Sequence, residues 1–180
     1  MSHRRQSVPI LFIALCFIIC LPQGSNGASQ RENGDKEKES KNTTKQLVYE
    51  NERYGFSFSL PPGWKGYRIL VEQWSGSVMD EHGASERSES GPLIKIRNPE
   101  WTEKDPYQDI PIMIFTQSQW KLVESESLVV SAAPIGPMEI GRNTTYVFAL
   151  PPRYNFGDAK GQDEVSDIVE HGPIHALKSR

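Results

Sequence analysis

The chain reads as an α+β domain, a mostly antiparallel sheet flanked by helices, and three observations carry that expectation. Apolar and small residues alternate with a period of two in Tyr54-Gly-Phe-Ser-Phe-Ser-Leu60, the pattern of a strand with one buried face. Ile110-Pro-Ile-Met-Ile-Phe115 is apolar on both faces, as a strand covered on both sides requires. Only two stretches, residues 116–124 and 160–171, carry helical spacing, so strands dominate.

The N-terminus comes first in the chain and sets the compartment. Arg4 and Arg5 precede an apolar run from Ile10 to Leu21, and small polar residues follow through Gly27. A charged start, a short apolar core and small residues at a cleavage point are the parts of a secretory signal peptide, assigned here to residues 1–27. The run falls short of the roughly 20 apolar residues of a spanning helix. The expected destination is therefore secreted or extracytoplasmic, periplasmic or cell-surface, with no membrane insertion of the mature domain. An uncleaved anchor, or lipidation at Cys20, is the alternative reading of the same segment. Cys16 and Cys20 are the only cysteines, so the mature domain has none to pair.

Residues 28–45 mix charges and carry no aromatic or aliphatic side chain after Ala28. Such a segment buries too little apolar surface to offset its ordering entropy and is expected to be a disordered tether. Residues 46–180 then form a single domain. Of the 20 Lys and Arg, only Arg4 and Arg5 fall within residues 1–27, and none of the 23 Asp and Glu do, so the formal charge moves from −3 to −5. An acidic domain without clustered Lys and Arg does not suit nucleic acid. Asn42-Thr-Thr and Asn143-Thr-Thr match the glycosylation sequon.

After the strand at Tyr54–Leu60, Pro61-Pro62-Gly63 ends the ladder, because proline donates no N–H. Residues 65–74 read as the next strand, with Tyr67, Ile69 and Val71 on one face, paired antiparallel with the first across the Pro/Gly turn. The Ser-, Gly- and acid-rich Ser75–Gly91 is expected to be a surface loop. Leu93–Arg97 makes a short strand, and residues 98–109 make a second long loop with two prolines and two aromatics. Pro111 places Ile110–Phe115 near an edge or at the start of its own strand. Thr116 is the expected cap of a helix to Glu124, with Trp120 and Val123 on the buried side. Brief strands follow at 128–132 and 137–141, then a strong one at Thr145–Leu150. In the last helix Val165, Ile168 and Val169 share a face, acids crowd the first turn, and Gly172-Pro173 stops it.

Two stretches resemble each other, YGFSFSLPPGW at 54–64 and TYVFALPPRY at 145–154. Their flanks do not correspond, and repeat proteins recur at a fixed period, so the likeness is a shared way of ending a strand. A tether, a Tyr-Gly-Phe-x-Phe strand, a proline and then Trp64 resemble the opening of the PsbP-like family, extrinsic photosystem proteins and bacterial relatives, over about Tyr49 to Trp64. That resemblance implies an α-β-α sandwich used as a non-catalytic binding or assembly module. Residues 96–120 have no counterpart in the family pattern, so its metal and partner residues are not carried over.

Catalytic groups are sparse. No Gly-x-Ser-x-Gly turn and no phosphate loop occur, and Gly157–Gly161 lacks the terminal hydroxyl residue of one. No cofactor is implied. His171 and His175 stand at helical metal-ligand spacing, but Gly172-Pro173 interrupts the helix, and both are expected to be solvated rather than to form a metal site. Aromatics and arginine in loops suit recognition, which singles out Trp101, Tyr107, Arg153 and Tyr154 as the candidate binding set for an unknown protein or small ligand. The competing use of the aromatics is as lids over the sheet ends. The competing function is an extracytoplasmic hydrolase working through paired carboxylates.

Overall fold

The computed structural model describes residues 46–132, 135–154 and 159–178; the signal-peptide and tether assignments lie outside them. The strands are β1 (Leu47–Asn51), β2 (Phe56–Leu60), β3 (Arg68–Met79), β4 (Ser85–Arg97), β5 (Ile110–Thr116), β6 (Leu128–Val129), β7 (Met138–Arg142), β8 (Tyr146–Leu150) and β9 (Ile174–Ala176). The helices are α1 (Gln117–Glu124) and α2 (Gln162–Glu170). Strands β1-β2-β9 make a small sheet, and β6-β3-β4-β5-β8-β7 make a curled six-stranded one. Every ladder between named strands is antiparallel. The fold is α+β.

The strand alternation sorts side chains into two cores. Ile110, Ile112 and Ile114 of β5 and Phe148 and Leu150 of β8 join Phe56, Phe58 and Leu60 of β2, Ile94 and Ile96 of β4, and Val165, Ile168 and Val169 of α2. From the opposite face, Met113, Phe115, Val147 and Ala149 join Trp74, Val78, Leu128 and Trp120 of α1. This is why β5, covered on both sides, is buried from Ile110 to Phe115. Pro111 sits second in a central strand, opposite Lys95; of its two expected placements, the strand start is the one found.

Local chemistry starts and stops the helices as their sequences suggest. Thr116 Oγ1 accepts from Gln119 N at 3.2 Å while Gln119 Oε1 accepts from Thr116 N at 3.0 Å, a reciprocal cap that satisfies two otherwise orphaned donors. Asp163 and Glu164 stand in the first turn of α2, where the helix dipole favours negative charge.

Three expectations are corrected. First, β2 and β3 do not pair: β2 runs between β1 and β9 in the small sheet, and β3 belongs to the large one. The turn at Pro62–Trp64 buries Trp64, whose Nε1 donates to Glu164 Oε1 at 3.1 Å, and this carries the chain from one sheet to the other. Second, Ser75–Gly91 is not a loop. β3 and β4 pair from Arg68↔Arg97 out to Met79↔Ser85, closed by a turn in which Asp80 Oδ1 accepts from the amides of His82 and Ala84. Backbone ladders need no apolar side chains, and the outer part of this hairpin is exposed on β4 from Ser85 to Ser88. Third, the segment after Pro173, which the sequence reads as an exposed tail, forms β9, and Ile174 is buried against Phe58. Strand β1 went unassigned from sequence.

Candidate interaction surface at one end of the large sheet

β5 and β8 are antiparallel neighbours, with Met113 opposite Ala149 and Thr116 opposite Tyr146. The start of β5 therefore lies beside the end of β8, and the loop entering one (98–109) meets the loop leaving the other (151–154). Gln108 clamps them: its Nε2 donates to Tyr154 O and to Asp109 O, each at 2.8 Å. The stretch before α2 joins from a third direction. Gln108 N donates to Lys160 O at 2.7 Å, and Tyr107 forms a parallel bridge with Lys160.

Each of the four sequence-selected residues has a definite place. The half-buried Trp101 ring lies under the Arg97 guanidinium, 3.8 Å from it. Arg97 in turn donates from Nη2 to Asp109 Oδ2 at 3.1 Å, with both side chains largely covered, 19% and 14% exposed. Asp109 Oδ1 accepts from Asn98 N at 3.3 Å. Asn98, buried, turns the chain: its Oδ1 accepts from Glu100 N and its carbonyl from Trp101 N. Trp101 is thus held between an ion pair that covers one face of its ring and a turn that fixes its backbone.

Tyr107 packs by Gly161, and the Lys160 ammonium lies 5.7 Å from its ring centroid. Lys160 also pairs with Asp105 at 2.6 Å. This carboxylate raises the Lys160 pKa above the usual lysine value. Tyr154 packs against the main core, and Arg153 is exposed with φ +55°, a left-handed conformation that non-glycine residues seldom adopt. The two loops do come together. The four side chains do not share one hollow: Tyr154 lines a depression with Met138, Ile140, Val169 and Gly172, while Trp101 stacks on Arg97.

Sequence reading missed the residues that hold this end together, Arg97, Asn98, Gln108, Asp109 and Lys160. The one available signal was a charged pair, Arg97 and Asp109, bracketing a loop between two strong strands.

Elsewhere, Glu164, Asp167, His171 and His175 line a cavity of about 590 Å³ between α2 and the small sheet. His171 and His175 are both exposed, and no cluster of three or more potential metal ligands occurs among the described residues. Glu89 accepts from Gln119 and Arg87, in that order of effect, which holds its carboxyl below the usual range, the opposite of what a general acid needs. At the second sequon, Asn143 Nδ2 donates to Tyr54 O at 2.8 Å and Gly55 O at 3.1 Å, while Oδ1 accepts from Thr145 N and Tyr146 N. The amide that a glycan would occupy already tethers the β1–β2 turn. No helix among the described residues is long and apolar enough to cross a membrane. No family model matches the chain, and neither a curated protein nor a solved structure matches it.

Proposed function

We propose that the protein is an exported, non-catalytic binding or assembly module, an α-β-α sandwich of the PsbP-like kind, that engages a protein or small ligand through the loop end bearing Trp101, Tyr107, Arg153 and Tyr154. The observation that carries this reading is the antiparallel β5–β8 pair, which delivers both aromatic loops to one end of the sheet. Preorganisation supports it: a ring fixed by Arg97 and Asp109 loses little side-chain freedom on binding. Aromatic and arginine side chains are the usual energetic centres of such surfaces.

The test is site-specific photo-crosslinking in the native host, with the crosslinking residue at position 153 and, as control, at Lys121 on the exposed side of α1. A discrete adduct at 153, absent at 121 and weakened by Trp101→Ala at an unchanged melting temperature, is the expected result. If Trp101→Ala unfolds the domain, the ring is a lid on the sheet end and the binding reading fails. The mass of the exported chain's N-terminus checks the signal peptide, and cleavage after residue 27 or 28 is expected.

A further inference from the structure

The two outer edges of the six-stranded sheet differ. On one side β7 is short, its register shifts between Glu139 and Gly141, and Gly141 sits so close to Ile174 of β9 that a Cβ there would meet Ile174 Cγ2 at 2.2 Å. A bulge and a covering strand are ordinary ways of closing an edge to further pairing. On the other side β6 pairs with β3 at Ser77 and Val78, and Val129 and Val130 lie close against Gly76. From Arg68 to Ser75 the outer edge of β3 has no strand partner among the described residues. Val71, in the middle of it, is 71% exposed, an apolar side chain left in water.

We infer that this open edge pairs with the same edge of a second copy, antiparallel about a two-fold axis at Leu70. Backbone direction requires the axis to lie on a residue rather than between two, and charge selects Leu70 among such axes. Ser77 lies opposite Val129, and Met79 N donates to Ser127 O across the β6 side, so odd-numbered residues of β3 turn their N–H and C=O outward. Going back along the strand, Ser75, Gln73, Val71 and Ile69 offer the free groups.

A two-fold at Leu70 sets Ile69 opposite the second copy's Val71, so two outward-facing residues exchange both hydrogen bonds, and their side chains cover one another on the same face. The same register sets Arg68 opposite the second copy's Glu72. Arg68 has no ion pair among the described residues, and Glu72 is shared with Lys95 of its own chain at 2.8 Å. Moving the axis to Val71 keeps the hydrogen bonds but sets Arg68 against Trp74 and Glu72 against Leu70, which removes the charge match. Such an isologous contact closes on itself, so it forms a dimer rather than a fibre. It uses neither the loop end nor its aromatics, and it stands or falls independently of the proposed function.

Sedimentation equilibrium of the full-length chain into the high micromolar range tests the pairing. The expected mass is that of a dimer, halved by Arg68→Glu, which sets like charges together, and doubled again in R68E/E72R/K95E, where the whole pattern is reversed. A monomer throughout, or a dimer indifferent to R68E, overturns the inference. The register has its own readout. Leu70 would face its own copy in a non-hydrogen-bonded pair, where the Cα atoms lie about 4.5 Å apart, within the span of a disulfide. With Cys16 and Cys20 replaced by serine, Leu70→Cys is expected to give a covalent dimer on mild oxidation and Val71→Cys is not; the reverse pattern overturns the Leu70 axis.

Discussion

The indole of Trp74 lies flat against the backbone of Gly91, its direct partner across the β3–β4 ladder. A Cβ at position 91 would come within 2.6 Å of Trp74 Nε1 and 2.7 Å of two of its ring carbons. The same indole donates to Ile114 O at 2.9 Å in the interior and packs 4.5 Å from the Phe115 ring. Gly91 is therefore the residue that lets a tryptophan bridge three strands.

Gly91→Ala is expected to push the ring out of this slot, lose the buried hydrogen bond and destabilise the domain by about 1–3 kcal/mol, the usual range for overpacking. Urea unfolding read through tryptophan fluorescence measures it. An alanine variant as stable as the parent would mean that the indole has room to move.

Phe58 is fully buried in the larger core, on the central strand of the small sheet between Tyr49 and Ile174. Phe58→Ala is expected to cost about 3–5 kcal/mol through lost transfer energy and the cavity left behind. An unfolding free energy from chemical denaturation lowered by less than about 1 kcal/mol, close to what a surface substitution costs, would contradict the face assignment.

His171 closes α2, with Nδ1 2.7 Å from Asp167 O and 3.6 Å from Asp167 Oδ1. The carbonyl first, and the carboxylate second, raise its pKa above the ordinary value. The folded form thus binds this proton more tightly than the unfolded chain does. Its stabilising effect is complete below about pH 6.5, the unfolded value, and is lost as pH rises through the higher folded value. A melting temperature that falls over that interval, with the fall reduced in His171→Ala, is the expected result. An imidazole titrating at or below the ordinary value in proton NMR would refute it.

What the sequence disclosed followed from side-chain pattern. In β2, β5 and β8 the alternation names the buried residues directly, because burial there is what selects the amino acids: Phe56, Phe58, Ile112, Ile114 and Phe148 are all core. Tyr146 is only partly buried, its ring edge-on to Tyr54 at 5.5 Å. The outer β3–β4 hairpin was illegible because serines and charges dominate it, Val78 alone of its side chains is buried, and the backbone makes the ladder. β1 and β9 were illegible because each has meaning only against β2: Leu47 and Tyr49 are partly buried, and β9 contributes just Ile174. At the loop end the aromatics were visible and their supports were not. The Arg97–Asp109 pair depends on the register of β4 against β5, which no local pattern specifies.

The seating of β2 between β1 and β9 also bears on how quickly the protein can reach its native state. Phe56 pairs with Asn51 on one side, a turn away, and with Ala176 on the other, and Trp64 waits for Glu164, 100 positions later. Loop closure of that length must precede any return from the contacts it makes, and chains dominated by such pairings fold in milliseconds to seconds rather than microseconds. Until β9 docks, the β1–β2 hairpin has an unpaired flank carrying Phe56 and Phe58, the kind of transient surface on which intermediates aggregate. The interval between forming that hairpin and closing its sheet is the period in which this chain would most depend on a chaperone.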